Sequence, residues 1–167
     1  MLKSHLMFGF MSAALAHRIV EDMAAAEDKE IYESALINVA QARRMRPLFL
    51  LRQSRASRNQ LILDSVKKPL FEEAAGVLVR GWLLEKQKDL LKTFLDAISL
   101  THKDGVVEGD LPETMDDAKL NAAVEALLAK FDREIVVVYL HAFHAMNGAQ
   151  WNNLEQLLDK DSRLQFA

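Results

Sequence analysis

The stretch Asp132-Arg133-Glu134-Ile135-Val136-Val137-Val138-Tyr139-Leu140-His141-Ala142-Phe143 decides how this chain is read. Its apolar run opens like a β-strand, because Ile135 to Val138 are all β-branched. Its flanks and its extension to Phe143 argue for a helix. Turning about 100° per residue from Ile135 places Val136, Tyr139, Leu140 and Phe143 inside one arc of about 140°, the width of a core-facing stripe. Asp132 supplies an N-cap, and Glu134 favours the positive end of the helix.

Two weaker copies lie upstream, Gln87-Lys88-Asp89-Leu90-Leu91-Lys92-Thr93-Phe94-Leu95-Asp96-Ala97-Ile98 and Asp28-Lys29-Glu30-Ile31-Tyr32-Glu33-Ser34-Ala35-Leu36-Ile37-Asn38-Val39. Aligning Ile31 and Leu90 with Ile135 brings Tyr32, Ala35, Leu36 and Val39, and Leu91, Phe94, Leu95 and Ile98, onto the same stripe. Glu30 and Asp89 repeat the acid; Asp28 is a good cap and Gln87 a poor one. The offsets of 59 and 45 residues exclude a strict array, and the fixed periods of tetratricopeptide or ankyrin repeats do not occur. Any two amphipathic helices opened by charges can be slid into this register, so helical hairpins are a firmer expectation than a repeat. The expected fold is all-α: a single domain over residues 1–167, with about seven to nine helices packed as antiparallel hairpins and a short irregular helical repeat left open.

Bulk properties agree. A chain of 167 residues, half of them hydrophobic, suits one domain with a substantial core. It has no cysteine, which excludes disulfides, a thiolate nucleophile and cysteine-bound metal, and fits a reducing cytoplasm. The apolar run from Leu6 to Ala13 followed by Ala14-Leu15-Ala16 imitates a signal peptide. Against that, Phe8, Met11, Leu15, Ile19 and Met23 continue one helical stripe through the would-be cut. No run approaches the ~20 apolar residues of a membrane span.

In chain order, residues 5–26 read as one helix. A second, opened by Asp28, runs to about Ala42, and the two should form a hairpin. Arg46-Pro47 ends that helix, and Leu48 to Leu51 read as an apolar plug. A short helix from Ser57 or Arg58 to Val66 should face Leu61, Ile62 and Val66 inward. Pro69 starts a helical stretch from Leu70 to about Ser99, weakened at Gly76 and Gly81, which reads as either one bent helix or two, Gln87 being the candidate joint. Residues 101–116 form an acidic loop. Asp116 or Asp117 caps a helix from Ala118 to Lys130, and Asp132 caps the next, to about Met146. Asn147-Gly148 is a stop signal, and a last helix from about Ala149 to Leu158 should bury Trp151, Leu154, Leu157 and Leu158. No strand is expected.

The clearest anomaly is electrostatic. Arg43, Arg44, Arg46, Arg52, Arg55, Arg58, Lys67 and Lys68 stand in a connector, residues 43–68, whose one acid is Asp64. The segment carries +7, so the chain total of -3 leaves -10 elsewhere. Its six arginines offer the planar fork that suits carboxylate and phosphate. They point to an anionic partner, either an acidic protein surface or nucleic acid; a bland alternative is internal charge balance. Phe49 is the segment's one aromatic, which disfavours a single-strand binder, and no helix-turn-helix pattern can be read.

His141 and His144 are three apart on one helix and could share a metal. Neither H-E-x-x-H nor Glu-x-x-His occurs, however, and a packed or surface role is the better expectation. The acids of the 101–116 loop lack calcium-loop alternation. No phosphate loop, nucleophile elbow or Ser/His/Asp arrangement is present. No cofactor or metal is therefore expected. The sequence reads as a non-enzymatic interaction module, a protein-protein scaffold or adaptor with Arg43, Arg44, Arg46, Arg52, Arg55 and Arg58 as its contact surface. A nucleic-acid-binding protein using the same arginines is the alternative, and a metal-dependent enzyme around His141 and His144 a distant third. Oligomeric state and partner identity are not legible.

Overall fold

The computed structural model describes residues 1–147 and 150–167. It is all-α, with ten α-helices: α1 (Ser4–Phe10), α2 (Ala13–Ala25), α3 (Glu30–Ala42), α4 (Pro47–Leu51), α5 (Arg55–Ser65), α6 (Glu72–Lys86), α7 (Lys88–Ala97), α8 (Asp117–Lys130), α9 (Arg133–Met146) and α10 (Asn152–Lys160). Short 3-10 turns at Pro69–Phe71 and Ser162–Leu164 complete the helical structure. Each segment expected to be helical holds a helix among the described residues, and the stretch from Leu70 breaks at Gln87, which leaves the α region at φ -119° and ψ 31°. The total reaches ten for two reasons. Residues 5–26 divide where Ser12 accepts a hydrogen bond from the Leu15 N–H and caps α2, and the expected plug is itself a helix, α4, with Pro47 in its first turn.

The expectation of no strand is corrected in one place. His102–Lys103 (β1) pairs antiparallel with Val106–Val107 (β2) inside the acidic loop. Asp104 and Gly105 between them both have positive φ, 52° and 88°. That is the conformation a two-residue hairpin turn demands, and Asp-Gly is a favoured pair for it. A Cβ on Gly105 would lie 2.7 Å from Leu91 Cβ, so this position also admits no side chain without movement.

The chain folds as two compact units. Residues 3–82 form the first, in which α2 packs chiefly on α5 and less on α3. The expected α2–α3 hairpin is thus not the dominant contact. The reason lies in α5, whose Arg55 and Asn59 side chains donate to Glu21 of α2. Phe8, Met11, Leu15, Ile19 and Met23 are all buried here, as are Tyr32, Ala35, Leu36 and Val39 of the α3 stripe. A carboxylate ties α1 to the start of α6. Glu72 accepts hydrogen bonds from the backbone N–H groups of Ser4 and His5, both at 2.9 Å, and lies 2.5 Å from His5 Nδ1. Burial alone would raise the Glu72 carboxyl, but these hydrogen bonds outweigh it and hold the group below its ordinary range.

Residues 83–167, with 1–2, form the second unit, where α7 packs on α8 and α9 on α8, α10 and the last 3-10 turn. Phe94, Tyr139, Phe143 and Trp151 meet with ring centroids 5.2 to 6.0 Å apart. The stripes of α7 and α9 therefore share one core, whereas the α3 stripe belongs to the other unit. Asp132 caps α9 by accepting from the Glu134 and Ile135 N–H groups. For α3 the cap position falls to Lys29, and Asp28 accepts from the Glu30 N–H instead. Leu157 is only half-buried on α10, while Trp151, Leu154 and Leu158 are buried as expected. Gly148 of the expected stop signal and Ala149, the expected start of the last helix, lie outside the described residues.

Candidate contact surface

The arginine-rich segment begins where α3 ends. The Met45 N–H bonds to the Ala40 carbonyl at 2.8 Å and the Arg44 N–H to the Gln41 carbonyl at 3.0 Å, which is the Schellman arrangement. Arg44 takes its left-handed position at φ 56°. A glycine would sit there without penalty, whereas a side chain brings strain of about 1 kcal/mol. Arg46-Pro47 then opens α4, five residues long.

The six arginines divide into two sets of three. Arg43 donates from Nε to Ser65 Oγ at 2.9 Å and lies over the Phe71 ring at 5.6 Å. Arg55 pairs with Glu21 of α2. Arg58 stacks over Tyr32 at 5.7 Å, although its buried Nε has no hydrogen-bond partner. Arg55 and Arg58 border a polar network inside the first unit. Tyr32 Oη donates to Asn59 Oδ1 at 2.5 Å, and Asn59 Nδ2 donates to Glu21 Oε2 at 2.7 Å. Burial raises the Tyr32 phenol above its ordinary value, and the nearby Arg58 and Arg55 charges oppose that shift.

Arg44, Arg46 and Arg52 are different. All three are exposed, and among the described residues their side chains enter no hydrogen bond or ion pair. Between Arg46 and Arg52 lies α4. Only Leu50 of its apolar residues is buried; Leu48 is 68 % exposed, Phe49 54 % and Leu51 39 %. The expected plug is corrected accordingly, because a five-residue helix anchored by one leucine must turn its other side chains outward. Sequence reasoning missed these three apolar residues as surface groups. The run has no periodicity from which its buried side could be read. Lys67 and Lys68 are also exposed. Among the described residues, Arg55 is the one base of the segment paired with an acid of the chain.

The histidine pair occupies a packed setting. His141 Nε2 lies 3.1 Å from the Leu164 carbonyl, which can only accept, so that nitrogen carries its proton and is not free to ligate. His144 is 3 % exposed, and its Nε2 is buried without a partner. Burial lowers both imidazoles below their ordinary value, with the Leu164 carbonyl opposing at His141 and Glu155 opposing at His144. Among the described residues, no three His, Cys, Asp or Glu side chains gather where they could hold a metal ion. None of the helices described there is long and apolar enough to cross a membrane.

No protein-family model, curated protein sequence or solved structure matches this chain.

Proposed function

We propose that this chain is a non-enzymatic helical interaction module, a scaffold or adaptor of the cytoplasm, that binds a protein partner through Arg44, Arg46 and Arg52 and the exposed face of α4. The observation that carries this reading is the pairing of three unengaged arginines with exposed Leu48, Phe49 and Leu51. Apolar residues ringed by arginine are the composition of a protein contact, with the apolar centre providing affinity and the charges orientation. The partner surface should combine carboxylates with an apolar patch. Arg43, Arg55 and Arg58 serve the fold in this reading.

Nucleic acid is the second reading, favoured by one observation: Phe49 is exposed and could stack a base. The two separate by titrating random-sequence oligonucleotides between about 50 and 200 mM salt, because each neutralised phosphate releases counterions. On the protein-partner reading, oligonucleotide binding is negligible near physiological salt, and Arg46→Glu with Arg52→Glu abolishes partner recovery in a pull-down while Arg80→Glu does not. Sub-micromolar, steeply salt-dependent oligonucleotide binding would transfer the arginines to nucleic acid.

A further inference from the structure

The second unit holds a recess lined by Leu111, Phe143, His144, Asn147, Trp151 and Leu154. Its enclosed part measures about 10 Å³, room for one water-sized group. The rest opens to solvent beside the exposed Gln150. Two of its polar groups are already engaged. Trp151 Nε1 donates to the Pro112 carbonyl at 2.8 Å, and Asn147 Nδ2 donates to the Phe143 carbonyl at 2.7 Å. His144 is the exception. The residue is 3 % exposed, and its Nε2 is buried with no hydrogen-bond partner among the described residues. A buried polar atom in that state is destabilising, so a group that supplies the missing bond binds with that energy in its favour.

The surroundings of His144 narrow what that group can be. Burial holds its imidazole below the ordinary value, with Glu155 opposing, the Met1 ammonium adding to the shift and Asp159 opposing, so the ring is uncharged at neutral pH. An anion would be repelled by Glu155 and Asp159, and a cation would exchange its hydration for the apolar walls of Leu111, Phe143 and Leu154. A hydroxyl is neutral and both donates and accepts, so it completes Nε2 in either tautomer. We infer that this recess binds a small neutral alcohol or phenol, its hydroxyl seated against His144 Nε2 and its apolar body lying across the opening on Leu111. The enclosed volume admits the hydroxyl and excludes a ring, so the contact is small. A dissociation constant on the order of 1 mM is expected for so few buried atoms. This site is independent of the arginines of the contact surface, which belong to the first unit.

The test titrates phenol into the full-length ¹⁵N-labelled chain and follows the indole N–H signals by NMR. The chain has two tryptophans. Trp151 reports on the recess, and Trp82, which donates to Asp22 in the first unit, is the internal control. Phenol should shift Trp151 saturably and leave Trp82 in place. Anisole, whose oxygen carries a methyl group instead of a proton, should bind about tenfold more weakly, because it cannot seat a hydroxyl at Nε2. His144→Leu should lower phenol affinity to that of anisole, and Leu111→Phe, which crowds the opening without touching the nitrogen, should abolish the shift. An unmoved Trp82 signal verifies that each variant is folded, and the comparison of phenol with anisole on the wild type needs no variant. Equal affinities for the two compounds overturn the proposal, as does phenol binding that His144→Leu leaves unchanged. A response that never saturates, or that moves Trp82 as far as Trp151, is non-specific partition and overturns it as well.

Discussion

Gly76 and Gly81 lie on the same helix, α6, under opposite constraints. A Cβ on Gly76 would meet nothing nearer than Ser4 Oγ at 3.5 Å, an ordinary contact. Gly76→Ala should therefore stabilise by about 0.5 to 1 kcal/mol through helix propensity. On Gly81 the same atom would sit 2.6 Å from Ile31 Cδ1 and 2.7 Å from its Cγ2, so Ile31 must be displaced. Overpacking of about 1–3 kcal/mol then outweighs the propensity gain, and Gly81→Ala should be net destabilising. Urea denaturation of the two variants checks both signs; a stabilising Gly81→Ala would mean that Ile31 yields freely. The sequence marks both residues as weak points of a helix. It cannot distinguish them, because the distinction lies in what stands opposite each one.

At the scale of the element, α9 is both the most legible helix and the least ordinary. Its stripe of Ile135, Val136, Tyr139, Leu140 and Phe143 is buried as periodicity predicts. Val137, Val138, Ala142 and His144 are buried as well, because α8, α10 and the last 3-10 turn pack around the helix. Arg133 fastens that turn by donating to the carbonyls of Ser162, Arg163 and Gln165. Caps test how far local sequence determines such helices. Asp132→Ala removes a side chain that serves two N–H groups and should lower stability by about 1 kcal/mol. Asp28→Ala should cost less, because Asp28 lies one residue outside the α3 cap position. Equal losses in thermal unfolding would count against this difference in cap geometry. The Asp104-Gly105 hairpin is the element that sequence reading should have found, since the dipeptide names its turn; strands of two residues are too short to leave a period.

At the scale of the whole molecule, stability should respond to pH through His141 and His144. Burial holds both below the ordinary 6.5, so above that pH they are neutral in the folded and unfolded chains alike. Below it the unfolded chain takes up protons that the folded one resists, and stability falls as pH drops. The melting temperature should therefore decline from about pH 7.5 to about pH 5.5. His144→Leu should make that decline shallower and leave neutral-pH stability unchanged or higher, because it also removes a buried nitrogen without a partner. An unchanged slope would assign the acid sensitivity to other groups. What the sequence by itself determined is the all-α class, the three stripes and the concentration of arginines, since each is written in the order of neighbouring residues; that residues 70–99 are two helices was left to the structure. Only the tertiary structure decided that Arg43, Arg55 and Arg58 are engaged within the fold while Arg44, Arg46 and Arg52 stay exposed. It also decided that α4 turns Leu48, Phe49 and Leu51 to solvent, and that the three stripes divide between two cores. The physical reason is that a side chain's partner is chosen by distance in space: Glu21, Ser65 and Phe71 meet their arginines only once α2, α3, α5 and the Pro69–Phe71 turn have packed.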